Sequence, residues 1–137
     1  MTTDVLADIA AYLATNHLGT VGTDIFVGWM PPSPDQCTVI KPGGGPPMDH
    51  HSAGAWPLVD VDCRAADPST AIGMVQAILS LFTDLHDFDI GSNHYIRIQS
   101  YYPGPQQCYP WDELNRAIWS GTLKINMRPI YMTGSDF

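Results

Sequence analysis

Apolar and polar residues alternate strictly near the end of the chain, and this pattern predicts a long strand. The odd positions from 119 to 127 are apolar or glycine, whereas the even positions from 120 to 128 are polar or charged. Successive side chains of a strand point to opposite sides of a sheet, so a period of two indicates one buried face. Residues 58–64 alternate in the same way. Their polar positions, Asp60, Asp62 and Arg64, predict an exposed charged ladder rather than a catalytic carboxylate pair.

Two segments have helical periodicity instead. Thr3 and Asp4 can begin a helix that continues to about residue 16. Asp67 followed by Pro68 is an N-cap signal, and this second helix is expected to continue to about residue 85. The predicted buried stripes are Val5, Leu6, Ile9 and Leu13 in the first helix, and Ala71, Val75, Ile78, Leu79 and Phe82 in the second.

Further strands are expected at residues 24–29, 37–41 and 94–101, the last with Tyr95, Arg97 and Gln99 on one face. The polar tract 84–91 and the proline-containing tract 103–110 are interpreted as loops. Together the elements predict an α+β fold, a single mixed, mainly antiparallel sheet with two helices packed on it and long loops. A chain of 137 residues is expected to form one domain, residues 1–137.

The least regular segment is the glycine- and proline-rich loop at about residues 42–55. It exceeds the usual loop length of a compact domain, so we expect it to act as a contact arm. Its candidate subunit or partner contacts, with the tryptophan that follows it, are Met48, Asp49, His50, His51 and Trp56.

Composition narrows the functional classes. The net charge is −8 and only 15% of residues are charged, which disfavours binding DNA through its phosphates. The three cysteines form no CxxC pair, so reduced thiols are expected rather than a zinc site or a disulfide. No apolar run is long enough for a membrane span and no signal peptide is apparent, so a soluble protein made in the cytoplasm is expected.

Catalytic motifs are missing from the sequence. There is no GxSxG, and the glycines at 43–45 are not followed by the Lys-Ser/Thr of a phosphate loop. The chain is therefore expected to be neither an enzyme nor a cofactor-binding protein. The alternative is a small metal-binding module or enzyme that uses Asp49, His50, His51 and His86, although adjacent ligands converge poorly on one ion.

The order of elements resembles a known family. The stretch LADIAAYLATNHLGTVGTDIFVGWMPPSPDQCTVI, with its helix, glycine turn, aromatic-ended strand and proline turn, is similar to the N-terminal half of the phage minor capsid or tail-terminator family of long-tailed phages. The strand-to-helix step WPLVDVDCRAADPSTA also fits this pattern. So does the cluster of Asp112, Glu113 and Arg116 before the last strand. The loop at 42–55 departs from it.

The resemblance implies a homo-oligomeric ring, commonly a hexamer, that caps the tail tube and joins the head connector. DNA would pass through without specific binding, and the protein would be located in the tail or neck of the virion. On this interpretation Asp60 and Asp62 line the channel, while Asp112, Glu113 and Arg116 hold a turn or a neighbouring subunit. A head–tail stopper or neck protein of similar fold is the alternative within the same assembly.

Overall fold

In the described part of the chain, seven strands form one sheet and two helices pack against it. The computed structural model describes residues 2–43, 58–83, 85–91, 93–100, 105–109 and 114–129. The elements are α1 Thr2–Thr15, β1 Ile25–Val27, β2 Cys37–Pro42, β3 Leu58–Ala65, α2 Pro68–Leu81, β4 Leu85–Ile90, β5 Asn93–Ser100, β6 Gln106–Tyr109 and β7 Ala117–Pro129. Neither helix of this described part is long and apolar enough to cross a membrane.

The strand order is β1-β2-β3-β7-β5-β4, with β6 also paired to β7. Only β1 and β2 run parallel, and every other pair is antiparallel. The strand β7 is central because it pairs with β3 along one side and with both β6 and β5 along the other. The predicted α+β fold, with a mixed and mainly antiparallel sheet carrying two helices, is confirmed.

The core lies between the two helices and one face of the sheet. Both predicted helical stripes are buried, as are the alternating apolar positions of β3 and of residues 121–127. Asp67 caps α2 by accepting a hydrogen bond from the Thr70 backbone N–H, and Pro68 follows it at the first helical position. The members of the core at full burial include Ile9, Leu13, Ile25, Ile40, Val61, Val75, Phe82, Tyr95, Ile98, Leu123 and Ile125.

The prediction of loops at residues 84–91 and 103–110 is wrong, because a short strand forms in each of these tracts. The helix α2 ends at Leu81, and β4 follows from Leu85 to pair with β5. Phe88 of β4 packs against Tyr12 and Tyr95, which compensates for the many polar residues around it. The second loop contains β6, which pairs with β7. Edge strands pair along one side only, so they tolerate polar sequence and nearby prolines.

The predicted faces of β5 are also wrong, because the strand contains a β-bulge. Tyr95 pairs with Met127 and Arg97 pairs with Asn126, so Ile96 is an extra residue on β5. A bulge reverses the alternation beyond it. Tyr95 and Ile98 consequently share the core face, both with 0% exposure, whereas Arg97 is exposed.

Gly121 sets the distance between α2 and the sheet. It is buried in the middle of β7, and a Cβ atom there would lie 2.9 Å from Leu79 Cδ2 and 3.0 Å from Val75 Cγ1. Both neighbours belong to the buried face of α2, so they have little room to move. The missing side chain lets the helix pack closely on the central strand.

We expect Gly121→Val to destabilise the protein, because the Cβ atom of the added isopropyl group already meets Val75 and Leu79 and its two methyl groups add further crowding. Overpacking of this kind costs about 1–3 kcal/mol, measured as the free energy of unfolding in urea. Gly73→Ala is the matched control. Gly73 lies in α2, and a Cβ there meets nothing within 4 Å, so this change should stabilise by about 0.5–1 kcal/mol. A neutral Gly121→Val would contradict close packing at this site.

Candidate functional site

The sheet face opposite the helices carries a network of polar side chains from β2, β3 and β7. Ser120 Oγ donates a hydrogen bond to Asp62 Oδ1 at 2.6 Å, and Thr122 Oγ1 donates to Asp60 Oδ1 at 2.7 Å. Both are directly opposed residue pairs of the β3–β7 ladder. Lys41 Nζ lies 2.7 Å from Asp62 Oδ2. We refer to this surface, with its residues Lys41, Asp60, Asp62, Ser120 and Thr122, as the polar face.

The charged ladder predicted on β3 is not exposed as expected. Asp62 is 5% exposed and Arg64 is 2% exposed, whereas Asp60 is half-buried. A buried charge must be paired and hydrogen-bonded to be tolerated. Ser120 and Lys41 satisfy this requirement for Asp62. The assignment of Asp60 and Asp62 to a channel lining stays a prediction, and Asp60 is the more accessible of the two carboxylates.

The connection from β1 to β2 crosses the same face of the sheet. Parallel strands require a crossover, which is usually a helix, but residues 28–36 contain three prolines and form an irregular segment. Gly28, with φ 99°, ends β1 and opens this segment, which is why the strand stops before the predicted residue 29. We call residues 28–36 the crossover loop.

Two buried arginines hold the crossover loop in place. Arg64 Nε donates to the Asp35 carbonyl oxygen at 3.1 Å, and Arg64 Nη2 donates to the Pro34 carbonyl oxygen. Arg116 Nη1 donates to the Pro32 carbonyl oxygen at 2.6 Å and lies 3.1 Å from Asp35 Oδ1. Proline has no backbone N–H, so a proline-rich segment makes few hydrogen bonds within its own backbone. A guanidinium group has five N–H donors, which can bind the carbonyl groups of such a segment. The arginines therefore replace the hydrogen bonds that a regular crossover would make internally.

Of the cluster predicted before the last strand, Arg116 is the member that lies within the described part of the chain. It is 7% exposed and binds the crossover loop of its own chain. Asp112 and Glu113 lie outside the described residues, as do Met48, Asp49, His50, His51 and Trp56. Arg64 was missed as an anchor. The sequence did contain a signal for this role. An arginine near the end of a strand can donate to the carbonyl groups of a proline-rich segment, which lacks N–H donors of its own.

An apolar cavity borders this anchored loop. It has a volume of about 390 Å³ and lies between the crossover loop and the start of β7. Leu114 at its border is 65% exposed, and Trp29, next to the lining residue Met30, is 66% exposed. Large apolar groups in such positions are typical of protein–protein contacts. The lining residues are Met30, Pro31, Pro32, Arg64, Leu114, Arg116 and Ile118.

Histidine and aspartate side chains meet on the β4–β5 hairpin. His94 Nδ1 lies 2.6 Å from Asp89 Oδ1, and His86 and His94 each lie 3.7 Å from Asp87. No group of three or more potential metal ligands comes together in the described residues, which include His86 but not Asp49, His50 or His51. The two histidines therefore act here as partners of surface carboxylates.

The cysteine thiols at positions 37 and 63 are free and buried, as the sequence predicted. Burial raises the pKa of Cys37, and it raises the pKa of Cys63 to about 12 despite a 3.7 Å contact with Thr38 Oγ1. The reactive form of cysteine is the thiolate. These two side chains are consequently poor nucleophiles at neutral pH.

Within the residues that the structure describes, an anchored loop and exposed apolar groups form surfaces that are typical of proteins that bind other proteins. Residues 12–128 match the family model described as "Bacteriophage tail terminator protein", and the chain belongs to this family. It is thus a structural protein of the phage tail, located in the tail or neck of the virion. The predicted family and location are confirmed.

The fold of this chain also has a likeness among the solved structures. A chain of the "Virion of native gene transfer agent (GTA) particle" is 14% identical, with a TM-score of 0.49. The match covers 86% of this chain and 83% of that one. No curated protein matches the sequence.

We expect Arg116→Ala to loosen the crossover loop and to destabilise the protein by about 1–3 kcal/mol, since the Pro32 carbonyl would lose a buried donor. Urea unfolding measures the stability, and amide hydrogen exchange at residues 28–36 measures the loop. Arg97→Ala is the control, because Arg97 is exposed, and it should change stability by less than about 0.5 kcal/mol. Unchanged exchange in Arg116→Ala would show that Arg116 does not anchor the loop.

Proposed function

We propose that copies of this chain form a ring, with six subunits as the expected number, that caps the phage tail tube. The ring then joins the tube to the head connector and leaves a central passage for DNA. The observation that carries the proposal is the family match, which spans residues 12–128 of 137. The polar face and the exposed apolar surfaces support it as physical features that such a ring would use.

The anchored crossover loop suits a docking role. Arg64 and Arg116 fix residues 32–35 of the loop through four bonds, so the cavity lined by Met30 and Leu114 lies beside an ordered segment. Association costs less free energy when the contact surface is already ordered. A tail-tube protein could therefore bind this surface without first ordering it.

An acidic subunit suits the passage of DNA. The chain carries a net charge of −8, and like charges prevent the phosphate backbone from adhering to a channel wall. We assign Asp60 and Asp62 to this wall. The remaining candidate contacts with neighbouring subunits or partners are Met48, Asp49, His50, His51, Trp56, Asp112 and Glu113, whereas Arg116 is buried against the crossover loop of its own chain.

Arresting the growth of tail tubes is the direct test. Purified tail-tube protein that polymerises alone should stop elongating when this chain is added, and electron microscopy should show a ring at one end of each tube. Capping needs only one ring per tube, whereas each tube contains many tail-tube subunits. The arrest of elongation should therefore saturate when this chain is well below the molar concentration of the tail-tube protein. Native mass spectrometry of the capped ends gives the number of subunits.

Two results would contradict the proposal. Unaltered tube growth with no protein at the tube ends would exclude capping. Binding to the head connector together with failure to bind tubes would favour the alternative of a head–tail stopper or neck protein.

We expect Asp60→Lys to slow the passage of DNA without preventing assembly. Asp60 is half-buried and makes one described hydrogen bond, to Thr122, so the fold should tolerate the change. A positive charge in the channel would attract phosphates and retard them. Asp60→Asn keeps the shape and removes the charge, so its effect should be smaller. The rate of DNA release from assembled particles is the measurement. If both variants release DNA at the wild-type rate, Asp60 does not line the channel.

A further inference from the structure

The exposed apolar side chains are concentrated at one edge of the sheet. Among the described residues, Val21, Val27 and Trp29 are 50%, 38% and 66% exposed. Val21 bridges to Ile25 of the edge strand β1, Val27 ends that strand, and Trp29 follows it. We call these three residues the β1 edge patch. Grouped apolar exposure of this kind marks a contact surface, and tryptophan is prominent among residues that dominate binding energy.

On the other side of the sheet, the strand β5, next to the edge strand β4, presents an aliphatic residue on a bulge. Ile96 is the extra residue of β5 and is 36% exposed. Asp87 of β4 lies between the paired residues His86 and Phe88, opposite Ile96, and has a φ of 54°. The bulge on β5 and the positive φ of Asp87 on β4 lie opposite each other, and together they direct Ile96 away from the core. We call Ile96 with the exposed Arg97 beside it the bulge knob.

One chain cannot bring these two surfaces together. The β1 edge patch and the bulge knob lie at opposite sides of the order β1-β2-β3-β7-β5-β4. Four steps between neighbouring strands separate β1 from β5, which carries the bulge knob, and at about 4.8 Å per step this is roughly 19 Å along the sheet. A contact between two different surfaces is heterologous. It therefore repeats from copy to copy, and it closes into a ring when the rotation per subunit allows.

The two surfaces offer one pair of opposite charges, although the exposed carboxylate of Asp87 also lies beside Ile96. Arg97 is exposed in the bulge knob, whereas Asp24 directly precedes β1 and is half-buried. The Asp24 carboxylate already accepts the Thr20 N–H at 2.6 Å, so its position beside the patch is fixed. A guanidinium group can also stack on an exposed indole ring such as Trp29. Opposite charges across an interface set its orientation and exclude wrong pairings.

We infer that the β1 edge patch of one copy binds the bulge knob of the next copy. Ile96 packs against Val27 and Trp29 of the neighbour, and Arg97 lies near the neighbour's Asp24. The inference rests on the proposed ring, and it adds which two surfaces form the contact between subunits. Each subunit offers one patch and one knob, so a closed ring leaves neither exposed.

Cysteine cross-linking tests the contact in the full chain. Val27→Cys and Ile96→Cys are combined in one variant, which is assembled with tail tubes and then mildly oxidised. Denaturing gels without reductant should show a ladder of covalent species up to the ring size. Val27→Cys alone and Ile96→Cys alone should show no ladder, and the wild-type chain gives the background from its own three cysteines.

The outcomes separate this contact from the ring itself. Rings on tube ends without cross-links would overturn the contact and leave the proposed function standing. Covalent dimers of Val27→Cys alone or Ile96→Cys alone, above the wild-type background, would indicate a symmetric contact. That result would also overturn the proposed contact between the patch and the knob. Absence of any ring on tubes would remove both proposals.

Substitution of Trp29 gives an independent readout. Trp29→Ala should raise the concentration needed for assembly by about tenfold or more, as for a central interface residue. Trp29→Phe keeps an aromatic ring and should restore most of the assembly. Equal assembly of Trp29→Ala and wild type would exclude the patch from the contact.

Discussion

The central strand β7 is the constraint on which the rest of this structure depends. It pairs with β3, β6 and β5, and its alternating apolar face closes the core beneath α2. Gly121 within it permits the close approach of the helix. The opposite face of the same strand supplies Ser120 and Thr122 to the carboxylates of β3. One run of thirteen residues thus organises both the apolar core and the polar face.

The second organising feature is the parallel pairing of β1 with β2. It forces the chain across the sheet, and a segment rich in proline makes that crossing without helical hydrogen bonds. Arg64 and Arg116 supply the missing donors and become buried as a result. The same crossing places Trp29 at the surface. The buried arginines and the exposed Trp29 are therefore two consequences of one feature of the topology, the parallel pairing of β1 with β2.

The candidate site could be predicted only in part. The acidic balance, the missing catalytic motifs and the resemblance to tail terminators were available from the residues, and the family was correct. Asp60 and Asp62 were placed on the polar strand face, but the burial of Asp62 was not foreseen. Burial depends on Lys41 and Ser120, which are distant in sequence and meet Asp62 only across the folded sheet.

The sequence by itself determined the features that depend on near neighbours in the chain. These are the alternation in β3 and β7, the buried helix stripes, and the cap formed by Asp67 and Pro68. The tertiary structure alone decided the strands β4 and β6, the bulge at Ile96 and the anchoring roles of Arg64 and Arg116. The physical reason is range. Side-chain periodicity is set within a few residues, whereas Arg64 and Arg116 bind carbonyl groups that are 29 and 84 residues away in the chain. The strands β4 and β6 and the bulge depend on the hydrogen bonds that a neighbouring strand of the folded sheet supplies.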